Sequence, residues 1–128
     1  GCGIRATLAT PAAQLVAQVR TAGGAAVLAH PLRYGQGMTD NPSQLAEIWR
    51  LFDAVEVWTP SHRPEENCRA FELARRFGLA ATAGSDAHTT EPLGRWATRF
   101  EEPLRDNPDL IAALRAGRCS PWRQDVAK

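Results

Sequence analysis

Residues 79–93 read LAATAGSDAHTTEPL, and the reading of this stretch decides the fold. Leu79 to Ala83 is a short apolar run of strand length that stops at Gly84-Ser85. Asp86 and His88 follow, with one small residue between them. Residues i and i+2 at a strand end share a face, so a carboxylate and an imidazole at this spacing turn toward one point. One hard oxygen and one borderline nitrogen suit a single metal ion. The competing reading is a strand-end turn in which Asp86 caps local amides and His88 is merely exposed.

Working outward, the chain alternates helical and strand patterns. Thr10-Pro11 reads as N-cap and first helical residue, and Ala12, Leu15, Val16 and Val19 fall on one helical face that Gly23-Gly24 ends. Ala25 to Ala29 is apolar on both faces, as a buried strand of a parallel sheet requires, and runs into His30-Pro31. After a glycine-rich loop, Asn41-Pro42 repeats the cap signal, with Gln44 as capping-box partner. Leu45, Ile48, Trp49 and Phe52 line the helix that follows. Ala54 to Trp58 is a second strand and Thr59 to His62 a loop. Pro64 opens a third helix, with Glu65 and Glu66 at its positive end, Arg75 and Arg76 near its negative end, and Gly78 as its stop. Residues 95–100 suggest a shorter strand, and Asn107-Pro108 caps a last helix ending at Gly117.

This order, α-β-α-β-α-β and then a less regular cap, predicts an α/β fold with parallel strands. The expectation is one domain over 1–128, with its core in 10–94, a cap in 95–118 and an irregular tail in 119–128. Three or four strands cannot close a barrel, which needs about eight, and an open three-layer sheet is one alternative. The first helix has no strand before it, and the Gly1-Cys2-Gly3 start looks like a cut edge, so the chain is expected to be part of a larger domain.

Composition narrows the function classes. The 128 residues are 44% hydrophobic and 23% charged, which argues for a packed core and against disorder. A net charge of +1 offers no general footprint for nucleic acid. Lys128 is the only lysine among the 15 basic residues. Cys2, Cys68 and Cys119 are odd in number and show no CxxC spacing, which points to a reducing cytoplasm rather than a disulfide framework. No apolar run approaches the length of a membrane span, so no membrane partner is expected.

His30, His62 and His88 each lie just past a predicted strand, at the edge where parallel α/β folds place their chemistry. His30 reads as a neutral imidazole ligand or as a histidine satisfied by a nearby carbonyl. His62 reads as a proton donor, a substrate contact or a plain surface residue. Arg33, with Tyr34, reads as a phosphate holder or a solvated arginine. Glu56, a carboxylate in an apolar strand, needs a partner: it supports or ligates a metal, or it pairs with an arginine.

The pair Ala29-His30-Pro31 and Gly84-Ser85-Asp86-Ala87-His88, separated by helix, strand and helix, resembles the third and fourth motifs of the PHP family (polymerase and histidinol phosphatase). GGAAVLAHPLRY, LFDAVEVW, ENCRAFELARRFGLAATAGSDAH and LIAALRAGR resemble the family's phrasing, over roughly residues 10–118. The resemblance implies the C-terminal part of a distorted seven-stranded β/α barrel. It implies a phosphoesterase that hydrolyses a phosphomonoester or a nucleotide-type phosphodiester, with a phosphorylated small molecule or short oligonucleotide as partner. It further implies two or three divalent ions (zinc, manganese or iron), with His30, Asp86 and His88 as metal ligands; Arg33 and His62, the candidate catalytic groups, and Glu56 take no assignment from it. The family's first His-x-His motif, its following histidine and its bridging glutamate have no counterpart here. The missing N-terminal half of the domain is therefore an expected partner, and pairing between copies is a further one. Two alternatives stand beside this: a non-catalytic, degenerate module serving assembly or binding, and an amidohydrolase-type enzyme, for which Lys128 is a poor bridging lysine.

Overall fold

The structure is a computed structural model and describes residues 4–7, 9–33 and 41–124. Tyr34 and the rest of the glycine-rich loop through Asp40, the Gly1-Cys2-Gly3 start and Lys128 lie outside the described residues. The elements run α1 (Ala12–Thr21), β1 (Val27–Leu28), α2 (Pro42–Trp49), β2 (Ala54–Trp58), α3 (Pro64–Phe77), β3 (Ala80–Ala83), β4 (Trp96–Phe100), α4 (Asn107–Arg115) and β5 (Cys119–Arg123). The predicted alternation through β3 is present, and β1, β2 and β3 form one parallel sheet in that order.

Local chemistry explains most boundaries. Asn41 caps α2, its side-chain oxygen accepting the N–H groups of Ser43 at 3.0 Å and Gln44 at 3.4 Å. Gly78 ends α3 at φ +69°, a left-handed residue that costs glycine little. Two caps differ from the expectation. Pro11 rather than Thr10 is the N-cap of α1, because Thr10 Oγ1 accepts the N–H of Thr7 at 2.9 Å instead. Asp106 rather than Asn107 caps α4, accepting the N–H of Asp109 at 2.9 Å.

One core fills the face of the sheet covered by α2 and α3. Val55 and Val57 of β2 meet Leu45 and Trp49 of α2 and Ala70 and Ala74 of α3, and Leu32 joins from the turn after β1. Trp49 and Phe77 pack edge to face with centroids 5.8 Å apart. The other face carries Ala54, Ala80 and Leu114, with Phe100 and Cys119 against them.

Two expectations are corrected. The Ala25–Ala29 run is not buried on both faces: β1 is an edge strand among the described residues, and Val27 is 40% exposed. As the strand number predicts, no barrel closes among the described residues, where three parallel strands and a separate two-stranded sheet fall well short of the strands closure needs. The seven-stranded barrel is thus not formed by these residues. The tail is not irregular from 119 onward either: β5 pairs antiparallel with β4 along Trp96–Phe100. The reason is tertiary. The Thr98 hydroxyl accepts the N–H of Ala83 at 3.0 Å and donates to the Ala83 carbonyl at 2.9 Å, holding β4 on β3 so that β5 can pair beside it.

Candidate functional site

Because β1, β2 and β3 are parallel, their C-terminal ends lie on one edge, and the segments that follow them converge there. The first is the turn His30–Arg33, closed by the Arg33 N–H on the His30 carbonyl at 3.1 Å. The second is the loop Thr59–His62, and the third is Gly84–His88. Two residues here, His30 at φ +29° and Asp86 at φ +44°, have left-handed backbones without being glycine. Such conformations cost about 1–3 kcal/mol and persist only where the surroundings hold them.

Asp86 is the meeting point. Its Oδ2 accepts the hydroxyl proton of Ser61 from the loop after β2, and the Arg33 guanidinium from the turn after β1 stands 3.5 Å away. The Ser61 hydrogen bond, helped by the charges of Arg33, His30 and His88, holds the Asp86 carboxyl below its ordinary range. His88 is exposed, and its Nδ1 sits 2.8 Å from the Asp86 carbonyl. In the neutral ring that contact makes Nδ1 the donor and leaves the lone pair on Nε2.

Glu56 lies mid-sheet, between the other two strands. Its Oε2 accepts the His30 N–H at 2.9 Å, and its Oε1 lies where a Cβ on residue 84 would be. Gly84 thus leaves room for the close approach of Glu56. Burial pushes the Glu56 carboxyl up, partly offset by the His30 N–H bond. Among the described residues Glu56 makes no ion pair with an arginine, so the strand-edge pairing expected as one alternative is not formed.

His62 is not a surface histidine. It is 6% exposed, its Nε2 accepts the Leu32 N–H at 3.1 Å, and its Nδ1 lies 3.2 Å from Asn67 Oδ1. An accepting Nε2 puts the ring proton on Nδ1, which donates to Asn67. Asn67 is fixed in turn by Thr59, whose N–H it accepts at 3.2 Å and to whose carbonyl it donates at 3.3 Å. Both ring nitrogens thus have internal partners.

The structure therefore gathers Arg33, Ser61 and Asp86, stands His30 and His88 on the same edge, and turns His62 inward. Sequence reasoning missed Ser61, Asn67 and Gly84; only Gly84, ending a strand before Ser-Asp, carried a signal. Among the described residues no three His, Cys, Asp or Glu side chains form a group able to hold a metal ion. His30, Asp86 and His88 have the donor chemistry for a divalent ion but reach one edge rather than one point. They fit as a contribution to a metal site, not as a whole one.

In parallel α/β folds the C-terminal edge of the sheet is where ligands are commonly bound. In comparison with known proteins, residues 64–119, less than half of the chain, match the family model PHP_C, PHP-associated. The match takes in Asp86 and His88 but begins after His30, Arg33 and His62. No curated protein and no solved structure matches the chain. No helix among the described residues is long and apolar enough to cross a membrane.

Proposed function

We propose that this chain supplies the later part of the active site of a PHP-type metal-dependent phosphoesterase that hydrolyses a phosphomonoester or a nucleotide-type phosphodiester. The observation that carries the reading is the Asp86 turn. A strained aspartate, kept ionised by Ser61 and Arg33, stands one residue from a histidine with a lone pair on Nε2, inside a PHP-associated region. In this reading Asp86, His88 and His30 contribute metal ligands, completed by groups from elsewhere in the complete protein. A bound divalent ion supplies a nucleophile at neutral pH and neutralises charge on phosphorus-bound oxygen. Arg33 orients a phosphate oxygen by charge-assisted hydrogen bonds, and Ser61 holds the Asp86 carboxylate in its rotamer.

A second reading, a non-catalytic module serving assembly or binding, is favoured by one feature: the Asp86 carboxylate already has two protein partners. The test is bound zinc, manganese and iron, together with hydrolysis of p-nitrophenyl phosphate and bis-p-nitrophenyl phosphate, in the complete protein and its Asp86→Ala variant. Loss of metal and a fall in turnover of roughly a hundredfold or more are expected of the variant. Unchanged metal content and rate sink the enzyme reading, and absence of both in the wild type supports the module.

A further inference from the structure

The turn after β1 is held from the side by two residues of the next β-unit. The His30 N–H donates to Glu56 Oε2 at 2.9 Å, and the Leu32 N–H donates to His62 Nε2 at 3.1 Å. We infer that Glu56 and His62 form a two-point clamp on the His30–Arg33 turn, and that both are positioning residues rather than a metal ligand and a proton donor. Their role toward the active site rests on the function proposed above; the clamp itself does not.

Four observations carry it. His30 sits at φ +29°, a backbone that needs external support, and the turn's own hydrogen bond joins only Arg33 to His30. His62 is buried, and Asn67, fixed by Thr59, accepts from Nδ1, so the ring presents a lone pair and not a proton to Leu32. A doubly protonated ring would set an N–H against an N–H at that point. Glu56 is confined by Gly84, whose missing Cβ leaves the space that Oε1 fills. Finally, Arg33 reaches Asp86 from this same turn, three residues after His30, so a loosened turn also loosens the pair.

The test uses the whole chain and two measurements by nuclear magnetic resonance. Imidazole nitrogen spectra are expected to show the Nδ1–H tautomer of His62. Amide hydrogen exchange is expected to rise roughly tenfold or more at Leu32 in His62→Ala and at His30 in Glu56→Ala. His62→Gln and Glu56→Gln, which each keep an acceptor oxygen, are expected to retain most of the protection, and the amides of α4 serve as the internal reference. A His62 ring protonated on Nε2 overturns the clamp whether or not the alanine variants fold. Equal Leu32 exchange in wild type, His62→Gln and His62→Ala overturns it as well. A chain with the clamp intact, in a complete protein without metal or phosphoesterase activity, would overturn the proposed function alone.

Discussion

The Ser61 hydroxyl donates to the Asp86 carboxylate, joining the loop after β2 to the turn after β3. Together with the charges of Arg33, His30 and His88, this bond favours the ionised form of Asp86. A carboxyl whose folded-state value is depressed contributes stability that is present above its unfolded value and lost as pH falls through the folded one. In metal-free protein, Asp86 is therefore expected to titrate below the ordinary aspartate range. Ser61→Ala should move that titration upward, read from the Asp86 carboxyl carbon shift. A titration unmoved by the substitution would show that the hydroxyl does not set it.

Two glycine substitutions should fail for different reasons. At Gly78, φ is +69° and nothing stands within 4 Å of an added Cβ, so alanine costs only the left-handed backbone, about 1 kcal/mol. At Gly84 an added Cβ meets Glu56 Oε1, while the other oxygen of that carboxylate, Oε2, accepts the His30 N–H. Gly84→Ala is expected to cost about 1–3 kcal/mol by urea unfolding. The Glu56→Ala background should relieve much of that cost, because the two residues share one space. Strict additivity of the two changes would contradict the contact.

The opposite edge of the sheet has its own junction. Asp53 accepts the Ala26 N–H at 2.9 Å and faces Arg20 at 3.2 Å and Arg115 at 3.5 Å, tying α1, β1 and α4 to the start of β2. Its side chain is 8% exposed, whereas the arginines are 43% exposed. Asp53→Ala is expected to destabilise by about 2 kcal/mol, and Arg20→Ala by less than about 1 kcal/mol. Denaturant melts of the two variants compare them directly, and an equal cost would move the weight from the backbone hydrogen bond to the ion pair.

Cys68 is exposed on α3, while Cys119 is half-buried on β5, with its thiol 3.8 Å from the Ala81 carbonyl. Burial, then the charge of Glu101, pushes the Cys119 thiol up. Thiolate is the reactive form, so at pH 8 iodoacetamide should label Cys119 roughly tenfold more slowly than Cys68. Peptide mass spectrometry after timed quenching reads both sites, and equal rates would mean that β5 does not shield the thiol.

Much of the frame is legible without coordinates because its causes are local. Helical faces at i, i+3 and i+4, the Asn41-Pro42 cap, the Gly78 stop and the apolar run of β2 all act over a few residues, and each recurs where expected. The errors share a different cause. Val27 is exposed because β1 has no outer neighbour among the described residues, and Cys119–Arg123 is a strand because Thr98 anchors β4 on β3. Neither neighbour is near in sequence, so no window of residues carries the signal.

The candidate site divides along the same line. That His30, Arg33, His62, Asp86 and His88 share one edge follows from sequence, since each comes after a strand of a parallel sheet and that sheet has one C-terminal edge. What each side chain does there was settled by contacts spanning about 25 to 30 residues. Ser61 meets Asp86, Glu56 meets the His30 amide, and His62 turns inward to Leu32. Strand order places residues on an edge, but a ring or carboxylate takes its direction from whichever donor or acceptor the packed neighbours present, and that partner exists only once the sheet has formed.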